Sequence, residues 1–539
     1  MTTIPELLCE RARATPEREL LRFESASLTV GEVEARTERW ARALGALGAR
    51  RGDRVALMLP NGLEYPLAWL AVVKMGAAVV PVNTGFGESD LGHVLRDSGA
   101  RFVLADPAYL DLLGRVSSQG TGVELICRLG PGEGEPVPIS GSIRPSPARQ
   151  EDGAGEDEAG EGAAGQGAAG EIPGGVVTIQ YTSGTTGFPK GCVLTHGYWL
   201  ELAEATRDIC GLGPDDVALT AQPFYYMDPV WNLVLCLSTG MPLVILPRFS
   251  ASTFWRSVKQ NGATFFYCIG TMPLFLLKQP EDPEIERAHR VRRVLCSGIP
   301  AQHHARLEAR YGCPWREVYG STELGCVLSV PFSDAESVGS GAMGAPAPGR
   351  EAQVVDENGG AVPPGVKGEL VTRGGETMLG YFGLPEETAR WRRAGWARTG
   401  DLVVEDDRGY YRIVGRLKDM IRRGGENIAA AEVEAALSDH PAVRAAACVP
   451  VPDEERGEEV KAYVQLRPAY SPSAVSPEEL LAFARRKLAA YKIPRYIQFV
   501  EHFPLTPSQR VAKQQLLAAQ PDLRAGSWDA TVGRWLPIA

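Results

Sequence analysis

The chain has no closely spaced pair of cysteines. Ten stand singly between Cys9 and Cys448 with no CxxC among them, so there is neither a zinc framework nor a disulfide ladder. That pattern suits a reducing cytosol with thiols as small buried apolar groups, and a cytoplasmic protein is expected. The chain also has no basic excess. Its 56 Lys and Arg stand against 66 Asp and Glu, a net charge of −10, which excludes a general nucleic-acid binder. Long apolar runs are missing too. The richest stretch, 67–82, contains Lys74 and Pro81 and is too short to span a bilayer, so no membrane partner is expected. Glu6, Glu10 and Arg11 break the first apolar stretch, which leaves no signal peptide to read. A last absence is local. The string EDGAGEDEAGEGAAGQGAAGE, within 149–175, has no aromatic, no β-branched residue and no base. It cannot bury enough apolar area to offset its ordering entropy, which predicts a disordered surface loop inserted within a domain, with an acidic interaction tail as the alternative.

What is present is an ordinary globular composition, 44% hydrophobic and 23% charged, in a chain of 539 residues. That length is too great for one core and implies two or more domains. Val33, Trp40, Leu44 and Leu47 fall at helical spacing, and Gly48 ends that helix. Strands are expected at 54–59, 78–82 and 101–104, with a helix over 67–75. Alternating strands and helices with short connections mean parallel βαβ units, hence an α/β domain.

The chain is organised around VVTIQYTSGTTGFPKGCVLTH, residues 176–196. A β-branched strand breaks into a loop of Thr182, Ser183, Gly184, Thr185, Thr186 and Gly187, followed by Lys190. From Tyr181 to Gly191 there are five hydroxyl side chains, three glycines and a lysine. Amides and hydroxyls of that kind surround phosphate oxygens, and the lysine adds a cation. The spacing is not that of a Walker A loop, because Gly191 rather than Ser or Thr follows the lysine. Downstream, Tyr319-Gly320-Ser321-Thr322-Glu323 follows a strand end. Glu323 suits Mg²⁺ held on phosphates, with Thr322 near the α-phosphate. Asp401, after the turn at Arg398-Thr399-Gly400, suits ribose hydroxyls; Arg416 suits ribose or phosphate.

In that order and spacing the motifs resemble the adenylate-forming superfamily of acyl-CoA synthetases, luciferases and nonribosomal-peptide adenylation domains. The likeness spans nearly the whole chain, from LTVGEVEARTERWARALGALGARRGDRVALMLPNGLEYPLAWLAVVKMGAAVVPVN through YTSGTTGFPKG, YGSTE, ARTGD and GRLKDMIRRGGENI to YKIPRYIQFV. The wording GRLKDMIRRGGENI is most similar to acyl- and carnitine-type CoA ligases. The resemblance implies a large amino-terminal domain, 1–416, of sheets flanked by helices. It also implies a small α+β lid, 417–539, hinged near Lys418 and turning between two poses. One pose forms acyl-AMP from a carboxylate and MgATP; the other admits the thiol of coenzyme A.

By the same resemblance, Thr182, Ser183, Gly184, Thr185, Thr186 and Lys190 hold phosphates and Glu323 holds magnesium. Thr322 touches the α-phosphate or the carboxylate. Tyr319, Gly320, Asp401 and Arg416 belong to the nucleotide site, and Gly298, Ile299 and Pro300 lie against adenine. Tyr226 takes the place of a histidine or aromatic that gates the acyl pocket. Gly424 and Gly425 flank the pantetheine arm, and Arg422 and Arg423 are candidates for CoA phosphates or else a solvated basic face. Met227, Asp228, Trp231, Asn232, Cys268, Gly270, Met272, Phe275, Gly325 and Cys326 are the expected acyl lining. That set is mostly apolar with aromatic bulk, which points to a hydrophobic carboxylic acid rather than an amino acid, although Trp231 and Tyr226 also read as plain core.

One departure stands out. Relatives carry TPTGK near the carboxy terminus, whose lysine bridges carboxylate and nucleotide during adenylation. Here Thr506-Pro507-Ser508-Gln509-Arg510 replaces it, with Lys513 three places on. A guanidinium is a planar fork where an ammonium is a point charge, and glutamine restricts a backbone that glycine leaves free. Two readings follow. Either adenylation is lost and the chain thioesterifies an acyl-adenylate supplied by a separate adenylating enzyme, or Arg510 or Lys513 does the work. A stand-alone enzyme loading a carrier protein and a non-catalytic acyl-AMP-binding protein are the alternatives to a CoA ligase. The lid reads as a helix over 431–437 and a strand over 445–451 paired with 460–466. A helix then opens at Ser476-Pro477-Glu478-Glu479 and runs to Leu488. Residues after Leu517 read as a loosely packed tail, and a homodimer is left open.

Overall fold

Thr29 shows how closely local sequence sets the first long helix. Its side chain accepts from the Glu32 amide while the Glu32 carboxylate accepts from the Thr29 amide, closing a capping box on Val30–Ala46. Val33, Trp40 and Leu44 are buried as their spacing requires. Leu47 instead caps the helix, half-buried, before Gly48 turns the chain at φ +95°. The computed structural model describes residues 2–130, 134–138, 175–182, 189–270, 272–423, 426–488, 490–506 and 510–538. Ser183, Gly184, Thr185, Thr186, Gly424, Gly425, Gln509 and all of 149–175 except Gly175 lie outside them. Lys418 and Arg422 are described in backbone only.

The chain forms two compact units. The first comprises Met1–Thr182, Pro189–Glu351 and Gly374–Arg390. The second includes Ala352–Arg373 and Trp391–Ala539, so the expected lid boundary at 417 falls inside it. In the first unit, Arg54–Met58, Ala78–Pro81, Phe102–Ala105 and Leu125–Arg128 pair in parallel, the expected βαβ pattern. Helices such as Glu64–Lys74 pack on them with almost every residue buried. Val176–Thr182 joins Ala78–Pro81 in parallel and then pairs antiparallel with Lys190–Thr195, placing Thr182 opposite Lys190. A nine-stranded sheet completes the unit. Its centre is parallel through Leu243–Ile245, Ala218–Thr220, Phe265–Ile269, Arg293–Ser297 and Trp315–Ser321. The hairpin of Trp315–Ser321 with Gly325–Ser329 closes one side. Beside this sheet, Phe254, Trp255, Phe266, Tyr311 and Trp315 form one aromatic core.

The second unit holds two sheets. Glu351–Val355, Lys367–Arg373, Arg392–Arg393, Trp396–Glu405 and Tyr411–Arg416 make a five-stranded one. The other has seven strands, with Val443–Asp453 and Gly457–Leu466 as the expected hairpin and Ala430–Ser438 packed in its core. Ser476 caps the next helix by accepting from the Glu479 amide at 3.2 Å. That helix, Pro477–Arg485, stops short of the expected Leu488. Lys487 and Leu488 both donate to the Ala484 carbonyl, tightening the last turn. The expected loose tail is also corrected. Trp528–Asp529 pairs with Tyr496–Phe499, Arg534–Trp535 pairs with Trp528–Asp529, and Trp528 is buried. Strands of two residues carry too little pattern to be read from sequence. Among the described residues no helix is long and apolar enough to cross a membrane.

Candidate functional site

In the first unit the site is built on a hairpin tip. Thr322, Glu323 and Leu324 make the turn between Trp315–Ser321 and Gly325–Ser329. Gly320, beside Tyr319 at a register shift, has no room for a side chain, since a Cβ there would lie 2.0 Å from the Gly325 carbonyl oxygen. The strands therefore approach closely enough to fix the tip. Thr322 Oγ1 lies 3.5 Å from Met227 Sδ. Glu323 Oε1 accepts from the Tyr381 hydroxyl at 3.0 Å. Burial, with the Glu323 charge beside it, raises the Tyr381 pKa and keeps that hydroxyl a donor. Lys190 stands over the Tyr381 ring, its Nζ 5.3 Å from the ring centroid and 2.6 Å from Glu387 Oε2. The ammonium holds the Glu387 carboxyl below its ordinary range. A cation and a carboxylate thus meet the same phenol, one over its ring and one at its hydroxyl, with Lys190 paired in register to Thr182.

Ser297, Gly298, Ile299 and Pro300 leave the strand Arg293–Ser297 and enter the helix Ala301–Tyr311. Glu317 holds this segment, accepting from the Gly298 and Ile299 amides at 2.5 and 2.7 Å. Burial pushes its carboxyl up to about 7 against the pull of those two amides. Ser297 Oγ donates to the Val318 carbonyl at 2.7 Å and accepts from Tyr267 at 2.9 Å.

The expected acyl lining lies partly together. Tyr226 immediately precedes the helix Met227–Thr239, its ring 4.7 Å from Tyr225. Trp231 packs 5.0 Å from Tyr267 and donates to Thr206 Oγ1 at 2.9 Å. Gly270 turns the chain at φ +62°, its amide on the Ser297 carbonyl. Cys326 is buried, its thiol pushed up to about 12. Cys268 and Met272 belong to the aromatic core, and Phe275 is 44% exposed to solvent. Burial pushes the Asp228 carboxyl up to about 7.

The remaining candidates lie in the second unit. Asp401 and Arg416 face each other across two strands as an ion pair at 2.9 Å, Asp401 buried and Arg416 partly exposed. Arg423 is no solvated basic face. Its guanidinium lies 2.7 Å from the buried Glu459 and donates to the Tyr491 and Ile493 carbonyls. Arg510 is exposed; its amide donates to Thr506 Oγ1 and its carbonyl accepts from the Thr506 amide. Lys513 is held by Glu434 at 2.6 Å and Asp419 at 3.5 Å, which raises its pKa against the opposing pull of burial.

Sequence reasoning missed Glu317, Tyr381, Glu387 and Glu434. Each works through a partner far along the chain. Only Glu387 carried any signal, an acid in the first turn of Pro385–Trp391, and that signal reads as helix stabilisation.

Residues 8–382 match the AMP-binding enzyme family and residues 432–510 the AMP-binding enzyme C-terminal domain. The chain is 34% identical over 517 residues to a feruloyl-CoA synthase of an Amycolatopsis species, covering 94% of this chain and 96% of that protein. It is 31% identical over 524 residues to a sulfoacetate–CoA ligase of Cupriavidus necator, covering 96% and 97%. Its structure is similar to that of the o-succinylbenzoate CoA synthetase of Bacillus subtilis in complex with its acyl-adenylate intermediate. The TM-score is 0.79 at 27% identity, over 96% of this chain and 98% of that one.

Proposed function

The chain belongs to the AMP-binding, adenylate-forming enzymes, and from that premise we propose that it joins a carboxylic acid to coenzyme A through an acyl-adenylate. In the first step a carboxylate oxygen attacks the α-phosphorus of ATP and pyrophosphate leaves. In the second the CoA sulfur attacks the acyl carbonyl, its proton passes to solvent and AMP leaves. The observation that carries this reading is that Lys190 and Glu323 converge on Tyr381, one over its ring and one at its hydroxyl.

Lys190, with Thr182 and the loop Ser183, Gly184, Thr185 and Thr186, holds the β- and γ-phosphates. Thr322 meets the α-phosphate or the acyl carboxylate. Tyr319, Gly320, Gly298, Ile299 and Pro300 belong to the nucleotide site, and Asp401 and Arg416 bind the ribose. Glu323 fits Mg²⁺ as one carboxylate supplementing phosphate oxygens, the usual way that ion binds a nucleotide. Among the described residues no group of three or more His, Cys, Asp or Glu could hold a metal without such phosphates. Bound there, the ion neutralises phosphate charge. The lid 417–539, hinged at Lys418 and presenting Gly425 to the pantetheine arm, belongs to the same reading. The acid has an apolar, aromatic-sized body, in keeping with Tyr226, Met227 and Trp231.

The finer proposal is that adenylation is weak and thioester formation retained. Arg510 stands where relatives use lysine, and the ammonium of Lys513 is already committed to Glu434 and Asp419. Loss of one well-placed electrostatic stabiliser costs about 10²–10³ in rate. The two half-reactions, assayed separately, decide it. We expect little pyrophosphate from acid and MgATP, and ready acyl-CoA from synthetic acyl-adenylate. Pyrophosphate release at an ordinary ligase rate overturns the half-reaction proposal; no acyl-CoA from either route overturns the ligase itself.

A further inference from the structure

The lysine proposed to hold the β- and γ-phosphates is already engaged. Lys190 Nζ lies 2.6 Å from Glu387 Oε2, with the two side chains 17% and 31% exposed. The contact is built into the backbone rather than struck between two loose surface chains. Residues 379–382 run along the strand Lys190–Thr195. The Leu379 amide donates to the Val193 carbonyl, the Val193 amide to the Gly380 carbonyl, and the Phe382 amide to the Gly191 carbonyl, at 2.8–3.0 Å. The helix Pro385–Trp391 is pinned to the same run, because the Tyr381 amide donates to Thr388 Oγ1 at 2.9 Å. Thr388 Oγ1 in turn donates to the Leu384 carbonyl at 3.0 Å. Thr388 follows Glu387 directly, so the tie that fixes the helix also delivers the carboxylate to the lysine.

The charge around Lys190 is not that of a place awaiting a triphosphate. Two cations, Lys190 and Arg390, share three carboxylates: Glu323 at the Tyr381 hydroxyl, Glu387, and Glu386. Arg390 is 70% exposed and bonded to Glu387 Oε1 at 2.5 Å, so solvent screens much of what it could add. A pyrophosphoryl group reaching Lys190 must displace Glu387 or share the ammonium with it, and it meets a like charge either way. An adenylate carries one phosphate, placed in the ligase reading at Thr322, and does not call on Lys190.

We infer that Glu387 is a specificity-determining residue acting through Lys190: its carboxylate competes with the β- and γ-phosphates and biases the nucleotide site from ATP toward AMP and acyl-adenylate. The inference rests on the ligase reading, and it adds to Arg510 an independent feature that favours the thioester half-reaction. The contrary role, in which Glu387 steadies the ammonium for phosphate, predicts the opposite sign.

Binding of MgATP and of AMP is measured by titration calorimetry on the full-length protein, on Glu387→Gln and on Glu386→Gln, so that no turnover is required. In E387Q the affinity for MgATP relative to AMP should rise at least about fivefold, between the scale of an exposed ion pair and that of a buried charge-assisted contact. In E386Q, which removes a carboxylate 3.5 Å from Arg390, the ratio should stay at the parent value. A fall of the ratio in E387Q makes the carboxylate a support for Lys190 and overturns the inference. So does an unchanged ratio, or an equal rise in both variants; the ligase then stands, because AMP still binds. Binding of neither nucleotide to the parent protein overturns both. Should E387Q fail to fold, E387A removes the same charge and takes its place.

Discussion

Arg510 and Glu317 each concentrate a consequence in one side chain. Arg510→Lys returns a compact ammonium to the place where a planar guanidinium now stands. We expect pyrophosphate release to rise about 10²-fold or more while thioester formation from acyl-adenylate stays level, as read by separate half-reaction assays. Glu317 sets a pH dependence. Its carboxyl is pushed up from 4.5 to about 7 in the folded chain. Between those values the native state binds more protons than the unfolded one, so stability falls as pH rises through that window. The slope is at most about 1.4 kcal/mol per pH unit for one group. Asp228 pulls in the same direction from 3.8 to about 7. Glu317→Gln therefore removes part of the slope. Melting temperatures at pH 5 and pH 7.5 should show the difference between parent and variant narrowing as pH rises; a constant difference would count against it.

At the scale of elements, the hairpin carrying Thr322 and Glu323 depends on the close approach of its arms at Gly320 and Gly325. Gly320→Ala places a methyl 2.0 Å from a backbone oxygen, which must yield. Overpacking of this kind costs about 1–3 kcal/mol, and a shift of about 1 Å at a catalytic tip costs roughly 10²-fold in rate. The expected outcome is a folded protein, slightly lower in melting temperature, with acyl-CoA formation down about a hundredfold. The turn itself was legible: strand end, glycine, hydroxyls and acid stood in order in the sequence. So was the first helix, because Thr29 and Glu32 are a local pair. Tyr381 was not, because its meaning comes from Glu323, 58 positions away, and from a lysine on another strand. Of the two readings of Arg423, CoA phosphates or a solvated basic face, the second fails for the same reason. Its partner Glu459 is 36 residues on and carries no mark of burial in the sequence.

For the whole molecule, the α/β alternation and the hairpin of the carboxy-terminal sheet could be read from periodicity, because each has several residues of pattern. The last twenty residues could not. Yet they close a sheet: Lys461, fully buried, donates to Gln498 Oε1 at 2.6 Å and to the Leu523 carbonyl at 2.5 Å, and Trp528 packs in the core. Removing residues from Leu523 onward strips the lysine of an acceptor and opens that core. We expect a fall of several degrees in the first thermal transition, read by calorimetry, where a loose tail would leave it unchanged.

The short strand Trp528–Asp529 also covers the side of Tyr496–Phe499 that would otherwise present bare amides and carbonyls. An uncovered edge of that kind recruits strands from neighbouring chains. A tag or fusion pulling on the carboxy terminus therefore invites aggregation by uncovering that edge.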